Sequence, residues 1–273
     1  MLIQLTNTCQ MGCPHCLQDS LPQPMHMTEE TCVEAIKFWA KSGAHVVNLS
    51  GGEPTEHPQF ERILELWTYA MDETARTTNT PYALNIITNG EWIHDRNKVK
   101  IIKDFLAIRR FGHLITNVQI SSFKGLYKNY NDIQKHKKTL LAIKGITIAD
   151  EGILNMCSLG RAKNHEPSKK AAAENPYHMS CFMFSQVKGQ CKSLPEAVVR
   201  FEITQHFCSP MVDWKGNVHC SESWLCPSCG HCTDEDIEQK IMDWKPCGGC
   251  ADYQKMMKRD DTDMRMARLA IGI

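Results

Sequence analysis

LIQLTNTCQMGCPHC, residues 2–16, joins an apolar run (Leu2 to Leu5) to a loop carrying Cys9, Cys13 and Cys16. The run reads as a strand that breaks into the loop, where Gly12 and Pro14 force a tight path. Three thiolates within eight residues can converge on one centre. A [4Fe–4S] cluster held by three cysteines leaves one iron open to an outside chelator, whereas electron-transfer clusters normally take four. A zinc knuckle borrowing a distant fourth ligand is the other reading of the spacing.

Outward from this loop, short apolar runs alternate with amphipathic stretches. Thr28 caps a helix that has Glu29 and Glu30 in its first turn, carries Cys32, Ile36 and Trp39 at helical spacing, and stops at Ser42-Gly43. Val46 to Leu49 is a second strand, ending in Gly51-Gly52. Phe60, Ile63, Leu64, Trp67 and Met71 form one helical stripe. Strands follow at Ala83 to Thr88 and Leu114 to Ile120, with helices around Val99–Leu106 and Asp132–Lys144 and further strands near Ile146–Ile148 and Ile153–Cys157. Such alternation implies parallel strands joined by right-handed crossovers, about six units in all. A sheet curled into a partial barrel and an open doubly wound sheet both satisfy this pattern. In either, ligands bind at the carboxyl ends of the strands. The loops at Cys9–Cys16, Gly51–Pro54, Asn89-Gly90 and Ser121-Ser122 sit there.

The 273 residues carry 31 Lys+Arg against 31 Asp+Glu and 42% hydrophobic residues. A neutral chain is not built around phosphate neutralisation, which argues against a dedicated nucleic-acid binder. No apolar run reaches the roughly 18 residues of a membrane span. With Gln4, Thr6 and Asn7 arriving at once, the beginning of the chain does not read as a secretory signal, so a cytoplasmic protein is expected. Fourteen cysteines stand out. In a reducing compartment metal binding outranks disulfides. They cluster: three by residue 16 and nine after residue 180. Cys32 on its helical stripe and Cys157 in a strand read as packed core thiols.

The Cys-x3-Cys-x2-Cys loop resembles the hallmark of the radical S-adenosylmethionine (SAM) superfamily. Leu5 to Cys9 is similar to that family's opening strand, and His15 holds the position before the third cysteine where an aromatic or histidine is usual. Ser50-Gly51-Gly52-Glu53-Pro54 resembles the Gly-Gly-Glu motif that holds the SAM amino group. Thr88-Asn89-Gly90 and Gln119-Ile120-Ser121 are also similar to family features. Leu159-Gly160-Arg161-Ala162 resembles a stretch after the last barrel strands. The likeness covers residues 1 to about 162. It implies an α/β fold, a partial (β/α)6 barrel of parallel strands at residues 1–162. It also implies a [4Fe–4S] cluster on Cys9, Cys13 and Cys16, and SAM contacts from His15, Gly51, Gly52, Glu53, Asn89, Ser121 and Arg161. The glycines are expected to let backbone approach the ligand, Glu53 to accept from a cationic amine, and Ser121 to reach a ribose hydroxyl or serve only as an exposed strand end. Arg161 is open between a SAM contact and a surface ion pair.

Residues 163–200 read as a polar connector with weak helices, and residues 201–273 as a small cysteine-rich domain too poor in apolar residues to fold easily without a crosslink or metal. Tyr253 to Leu269 reads as a closing helix. Cys208 and Cys220, either side of a Lys215-Gly216-Asn217 turn, resemble the opening hairpin of SPASM or twitch auxiliary-cluster domains. Cys247 and Cys250 would complete four ligands of an auxiliary [4Fe–4S] cluster, and Cys226, Cys229 and Cys232 offer a second set. A zinc ribbon on Cys226-x2-Cys229-x17-Cys247-x2-Cys250 is the rival.

The resemblance implies an oxidoreductase. Reductive SAM cleavage yields a 5′-deoxyadenosyl radical that abstracts hydrogen from a substrate carbon, with the auxiliary cluster assisting a dehydrogenation or crosslink. The electron comes from a flavodoxin- or ferredoxin-type reductant. With its first strand at residue 2, the chain is expected to carry no recognition domain ahead of the barrel. A peptide substrate is therefore not favoured, and a small molecule or nucleotide stands equally open. His206, Asp213 and His219 lie nearest the hairpin, but no catalytic base is singled out. A non-catalytic iron–sulfur carrier, or a zinc-stabilised binding module on a barrel scaffold, is the alternative class; it leaves Glu53 and the three-cysteine loop without a purpose.

Overall fold

The computed structural model describes residues 1–108, 113–150, 159–174, 180–205, 210–221 and 223–247. Five strands alternate with helices: β1 (Leu2–Thr6), α1 (Glu29–Ser42), β2 (Val46–Gly51), α2 (Phe60–Thr78), β3 (Tyr82–Thr88), α3 (Arg96–Ile108), β4 (Leu114–Ser121), α4 (Tyr130–Leu141) and β5 (Ile146–Ala149). Local chemistry sets the boundaries. The Thr28 hydroxyl accepts from Thr31 N at the start of α1, and Gly43, at φ 74°, ends it. Phe60, Ile63, Leu64, Trp67 and Met71 are all buried along α2, as their spacing requires.

The sheet order is β5-β4-β3-β2-β1, every pair parallel. This order decides between the two architectures. A doubly wound sheet reverses direction at a switch point, whereas strands added in one direction by right-handed crossovers keep all helices on one side and curl the sheet. The curled sheet is observed. Ile3, Leu5, Val47, Leu49, Leu84, Ile86, Val118 and Ile120 face the helices and are fully buried. The opposite face is far more open: along β4, buried positions alternate strictly with exposed or half-buried ones. The expected strand at Ile153–Cys157 and the closing helix at Tyr253–Leu269 lie outside the described residues.

The stretch that reads as a polar connector is helical and packed. It comprises α5 (Glu166–Glu174), α6 (Ser180–Lys188) and α7 (Leu194–Gln205). Phe184 and Phe201 meet edge to face at 5.3 Å, and with Leu194, Ala197 and Val198 they join the main core. The Glu202 carboxylate accepts from His45 N and Val46 N at the start of β2. Beyond α7, β6 (Met211–Val212) adds to β1 in parallel, and β7 (Asn217–His219) and β8 (Gly230–His231) follow antiparallel before α8 (Ile237–Asp243). The cysteine-rich segment thus extends the same sheet. No helix among the described residues is long and apolar enough to cross a membrane.

Candidate active site

The carboxyl ends of β1 to β4 bring the candidate residues together. Cys9 and Cys13 are buried and Cys16 half-buried, forming with Met11 and Tyr127 a small cluster separate from the main core. Burial pushes the Cys9 thiol up to about 12 and the Cys13 thiol to about 11, with the neighbouring thiols adding to both. Asn89 Nδ2 lies 3.9 Å from Cys9 Sγ, and Ser20 N donates to Cys16 Sγ at 3.4 Å. Such N–H groups favour thiolate, and a metal displaces the thiol protons that burial otherwise retains. The donor set therefore fits an iron–sulfur cluster. Among the described residues no three His, Cys, Asp or Glu side chains close on one metal ion; the cysteines of a four-iron cluster each take a separate iron.

Glu53 is wholly buried at the end of β2. Its Oε1 accepts from Thr55 N, Thr55 Oγ1 and Thr88 Oγ1 at 3.2, 2.7 and 2.7 Å, and its Oε2 from Asn89 N at 2.7 Å. Burial nevertheless raises its pKa, and no described cation pairs with it. A buried carboxylate, hydrogen-bonded but without a counter-charge and within electrostatic reach of Cys9, is chemically suited to receive a cationic amine.

The glycines before it answer a packing demand that the sequence did not announce. A Cβ on Gly51 would stand 2.2 Å from Thr6 O, and one on Gly52 2.3 Å from Thr8 O. Gly52 N donates to Thr6 O at 2.7 Å and Glu53 N to Thr8 O at 2.8 Å. The close approach is to the chain leading into the cysteine loop.

Arg161 is likewise committed. Its Nε donates to Cys13 O at 3.0 Å, Nη1 to Asp19 Oδ1 at 3.0 Å and Nη2 to Ser20 O at 2.8 Å. Of the two expectations for it, the ion pair is present, with half-exposed Asp19, as one part of a wider grip on the loop and the residues after it. Gly160, at φ 54°, lets this segment lie against Cys16 O and Leu17 O, and Arg161 N donates to Cys16 O at 3.0 Å.

His15 lies with its ring 5.1 Å from that of Tyr127. Burial, aided by the charges of His165 and Arg161, lowers its pKa to about 4, so it is neutral at pH 7; its Nδ1 is buried without a partner. Ser121 hydrogen-bonds the Tyr127 hydroxyl, whose pKa burial has raised. Asn89 also holds Glu91 N on its Oδ1 and accepts from Asn129 Nδ2 on its carbonyl. Tyr127, Ser20 and Asn129 escaped the sequence reading. They sit in loops or at helix starts where no periodicity marks them, and only the fold brings them to the cysteines.

The late cysteines divide. The turn at Lys215-Gly216-Asn217 forms as expected, with Asp213 Oδ1 accepting from Lys215 N and Asn217 N. Cys220, fully buried, has its Sγ 3.2 Å from Cys229 Sγ, and the Lys188 ammonium acts on both. This pairing is not the one a zinc ribbon on Cys226 and Cys229 needs. Cys232, in the turn after β8, is buried, and the charges of Glu34, Asp213 and Asp234 act on its thiol. Cys247 is exposed, while Cys208, Cys250 and His206 lie outside the described residues. Next to this segment, Ser223 Oγ donates to Leu17 O at 2.9 Å and Trp224 Nε1 to Gln18 O at 2.8 Å, docking it on the cysteine loop.

The sequence model of the radical SAM superfamily matches residues 3–154. Two curated relatives are GTP 3′,8-cyclases. That of Psychromonas ingrahamii is 25% identical over 122 residues, 43% of this chain and 36% of its own length. That of Aquifex aeolicus is 34% identical over 68 residues, 23% of this chain and 21% of its own. The matches thus span about a third or less of these relatives. Among solved structures, BtrN in complex with AdoMet and 2-DOIA is 11% identical at a TM-score of 0.52, over 94% of this chain and 84% of that one. Native anSMEcpe with bound AdoMet and Cp18Cys peptide is 12% identical at 0.53, over 99% and 86%. At such identities the likeness is one of fold.

Proposed function

Because the chain belongs to the radical SAM superfamily, a superfamily of enzymes, we propose that Cys9, Cys13 and Cys16 hold a [4Fe–4S] cluster and that Glu53 fixes the amino group of SAM. Once bound, cluster and SAM supply a reductive cleavage that generates a 5′-deoxyadenosyl radical, which takes hydrogen from a substrate carbon. The chain's part is positioning. Glu53, kept rigid by four hydrogen bonds, presents Oε2 to the ammonium. Arg161, Gly160 and Trp224 hold the loop in one geometry. Met11 and Tyr127 exclude water from the thiols. The observation that carries the reading is the uncompensated Glu53 carboxylate beside the buried thiols.

The finer assignment is an oxidation assisted by an auxiliary [4Fe–4S] cluster of SPASM or twitch type. Cys220 and Cys229 are two of its ligands, and two of Cys208, Cys247 and Cys250 supply the rest. The closeness of the Cys220–Cys229 pair and the buried cation beside it support this. A soluble protein served by a flavodoxin- or ferredoxin-type reductant completes the proposal.

The test is anaerobic reconstitution of the full chain and of a Cys9→Ala/Cys13→Ala/Cys16→Ala variant, with iron, sulfide and reductive SAM cleavage measured on each. The variant should lose about four irons and all cleavage, the irons left in it counting the auxiliary set. Cleavage that survived the triple substitution would overturn the site, and a variant left without iron would overturn the auxiliary cluster.

A further inference from the structure

The open face of the sheet is lined by carboxamides. Parallel register aligns Asn48 with Asn85 and Asn85 with Asn117, so these three form a row across β2, β3 and β4. They are chained: Asn117 Nδ2 donates to Asn85 Oδ1 and Asn85 Nδ2 to Asn48 Oδ1, both at 2.9 Å. The same alternation puts Ser50, Gln119, Ser121 and Thr147 on this face. Gln4 shares it, in register with Ser50. Gln4 is 1% exposed, and its Oε1 has no partner. No Asp, Glu, Lys, Arg or His occurs in any of the five strands.

A carboxamide offers two N–H donors and two acceptor lone pairs. Within the row, Asn85 spends one of each, and Asn117 Oδ1 accepts from no described group. Asn85 and Asn117 each keep a donor and an acceptor side by side, which suits a hydroxyl, itself both donor and acceptor. Strands are about 4.8 Å apart, so the row spans roughly 10 Å, the width of one substituted six-membered ring. It lies three or four residues, about 10–13 Å, below the strand ends that carry Glu53 and the cysteine loop. Ile87 and Ile115 on the same face provide apolar contact for ring C–H groups. What the face lacks is equally specific. A triphosphate such as GTP demands cations, and none is available on these strands.

The geometry points to an uncharged polyhydroxylated ring, of the sugar or cyclitol class, as the ligand of this amide face and hence the substrate class of the proposed enzyme. The inference rests on the radical SAM reading and deepens it.

The test uses the full chain, reconstituted anaerobically with iron, sulfide and SAM, and ligand-observed saturation-transfer NMR. The probes are myo-inositol, methyl α-D-glucopyranoside, their phosphorylated counterparts, GTP and a neutral tripeptide amide. At least one unphosphorylated polyol should bind ten times or more tightly than its phosphate ester and than GTP. Asn85→Ala and Asn117→Ala should each weaken it tenfold or more. Asn117→Asp, nearly isosteric, should also weaken it, which guards against a folding defect in the alanine variants. Tighter binding of GTP, a phosphate ester or the peptide would overturn the inference, as would silence from every polyol or indifference to the asparagine substitutions. SAM cleavage by dithionite on the same samples reports separately on the parent reading. Cleavage without polyol preference sinks this inference alone; absent cleavage sinks both.

Discussion

Gly52→Ala tests the finding that the Gly-Gly pair exists for chain packing. The added Cβ would lie 2.3 Å from Thr8 O and 2.7 Å from Thr8 C, backbone atoms that no rotamer change can move aside. Relief requires the start of the cysteine loop to separate from the end of β2. The hydrogen bonds Gly52 N to Thr6 O and Glu53 N to Thr8 O then stretch or break. Each is worth about 0.5–1.5 kcal/mol net, and overpacking costs about 1–3 kcal/mol. Together they give a loss of about 2–6 kcal/mol, large against total stabilities of about 5–15 kcal/mol. At about 2–4 °C per kcal/mol for a chain of this size, the melting temperature should fall by roughly 4–24 °C. The assay is thermal unfolding by circular dichroism of the full chain, with Gly189→Ala as control. A Cβ at Gly189 meets nothing nearer than 3.4 Å, and it should stay within about 0.5 kcal/mol of the parent. The reasoning fails if Gly52→Ala melts with the control. It fails equally if the variant loses only SAM affinity, because that pattern belongs to a glycine making room for a ligand.

Three further outcomes are expected. Glu53→Gln should weaken SAM binding at least tenfold, about 1.4 kcal/mol, by equilibrium dialysis. Since burial raises the Glu53 pKa, parental affinity should fall with pH through that raised value while the variant's stays level. Arg161→Lys should shorten the retention of iron on Cys9, Cys13 and Cys16 during dialysis, because one ammonium cannot reproduce three directed bonds, while SAM affinity of the loaded fraction stays within twofold. Although burial pushes the Asp213 carboxyl up, hydrogen bonds from His219 and Asn217 outweigh it and hold it below its ordinary value of 3.8. Its stabilisation is therefore present above that value and lost as pH falls through the lower folded one. Acid unfolding followed by tryptophan fluorescence should show this loss in the parent and not in Asp213→Asn.

The spacing of Phe60, Ile63, Leu64, Trp67 and Met71, and the Thr28 cap, made helices legible because local packing and capping decide them. Strand order was not legible, since periodicity says which residues face a core but not which strand neighbours which. The packed α6 and α7 were hidden because their buried residues are interleaved with lysines and other polar groups, and Lys188 itself is buried. Chemistry-bearing residues near in sequence, such as Cys9, Cys13 and Cys16, announced themselves. Which of the late thiols meet was not legible, since Cys220 and Cys229, nine residues apart, come together only through the fold.

What no local pattern could disclose is that the cysteine loop is held from three sides by segments far apart in the chain. The end of β2 grips it through Thr6 and Thr8. Gly160 and Arg161 close over Cys13, Cys16 and Ser20. Ser223 and Trp224 donate to Leu17 and Gln18. Each contact is made to loop backbone, so each fixes the path of the chain and leaves the thiols free to bind metal. A segment that docks on this loop, and that carries its own buried thiol pair at Cys220 and Cys229, links any metal held there to the geometry of the first site. Loosening the C-terminal segment should therefore act at Cys16 as surely as a change within the loop itself, because the two sites share the short backbone stretch between Leu17 and Ser20.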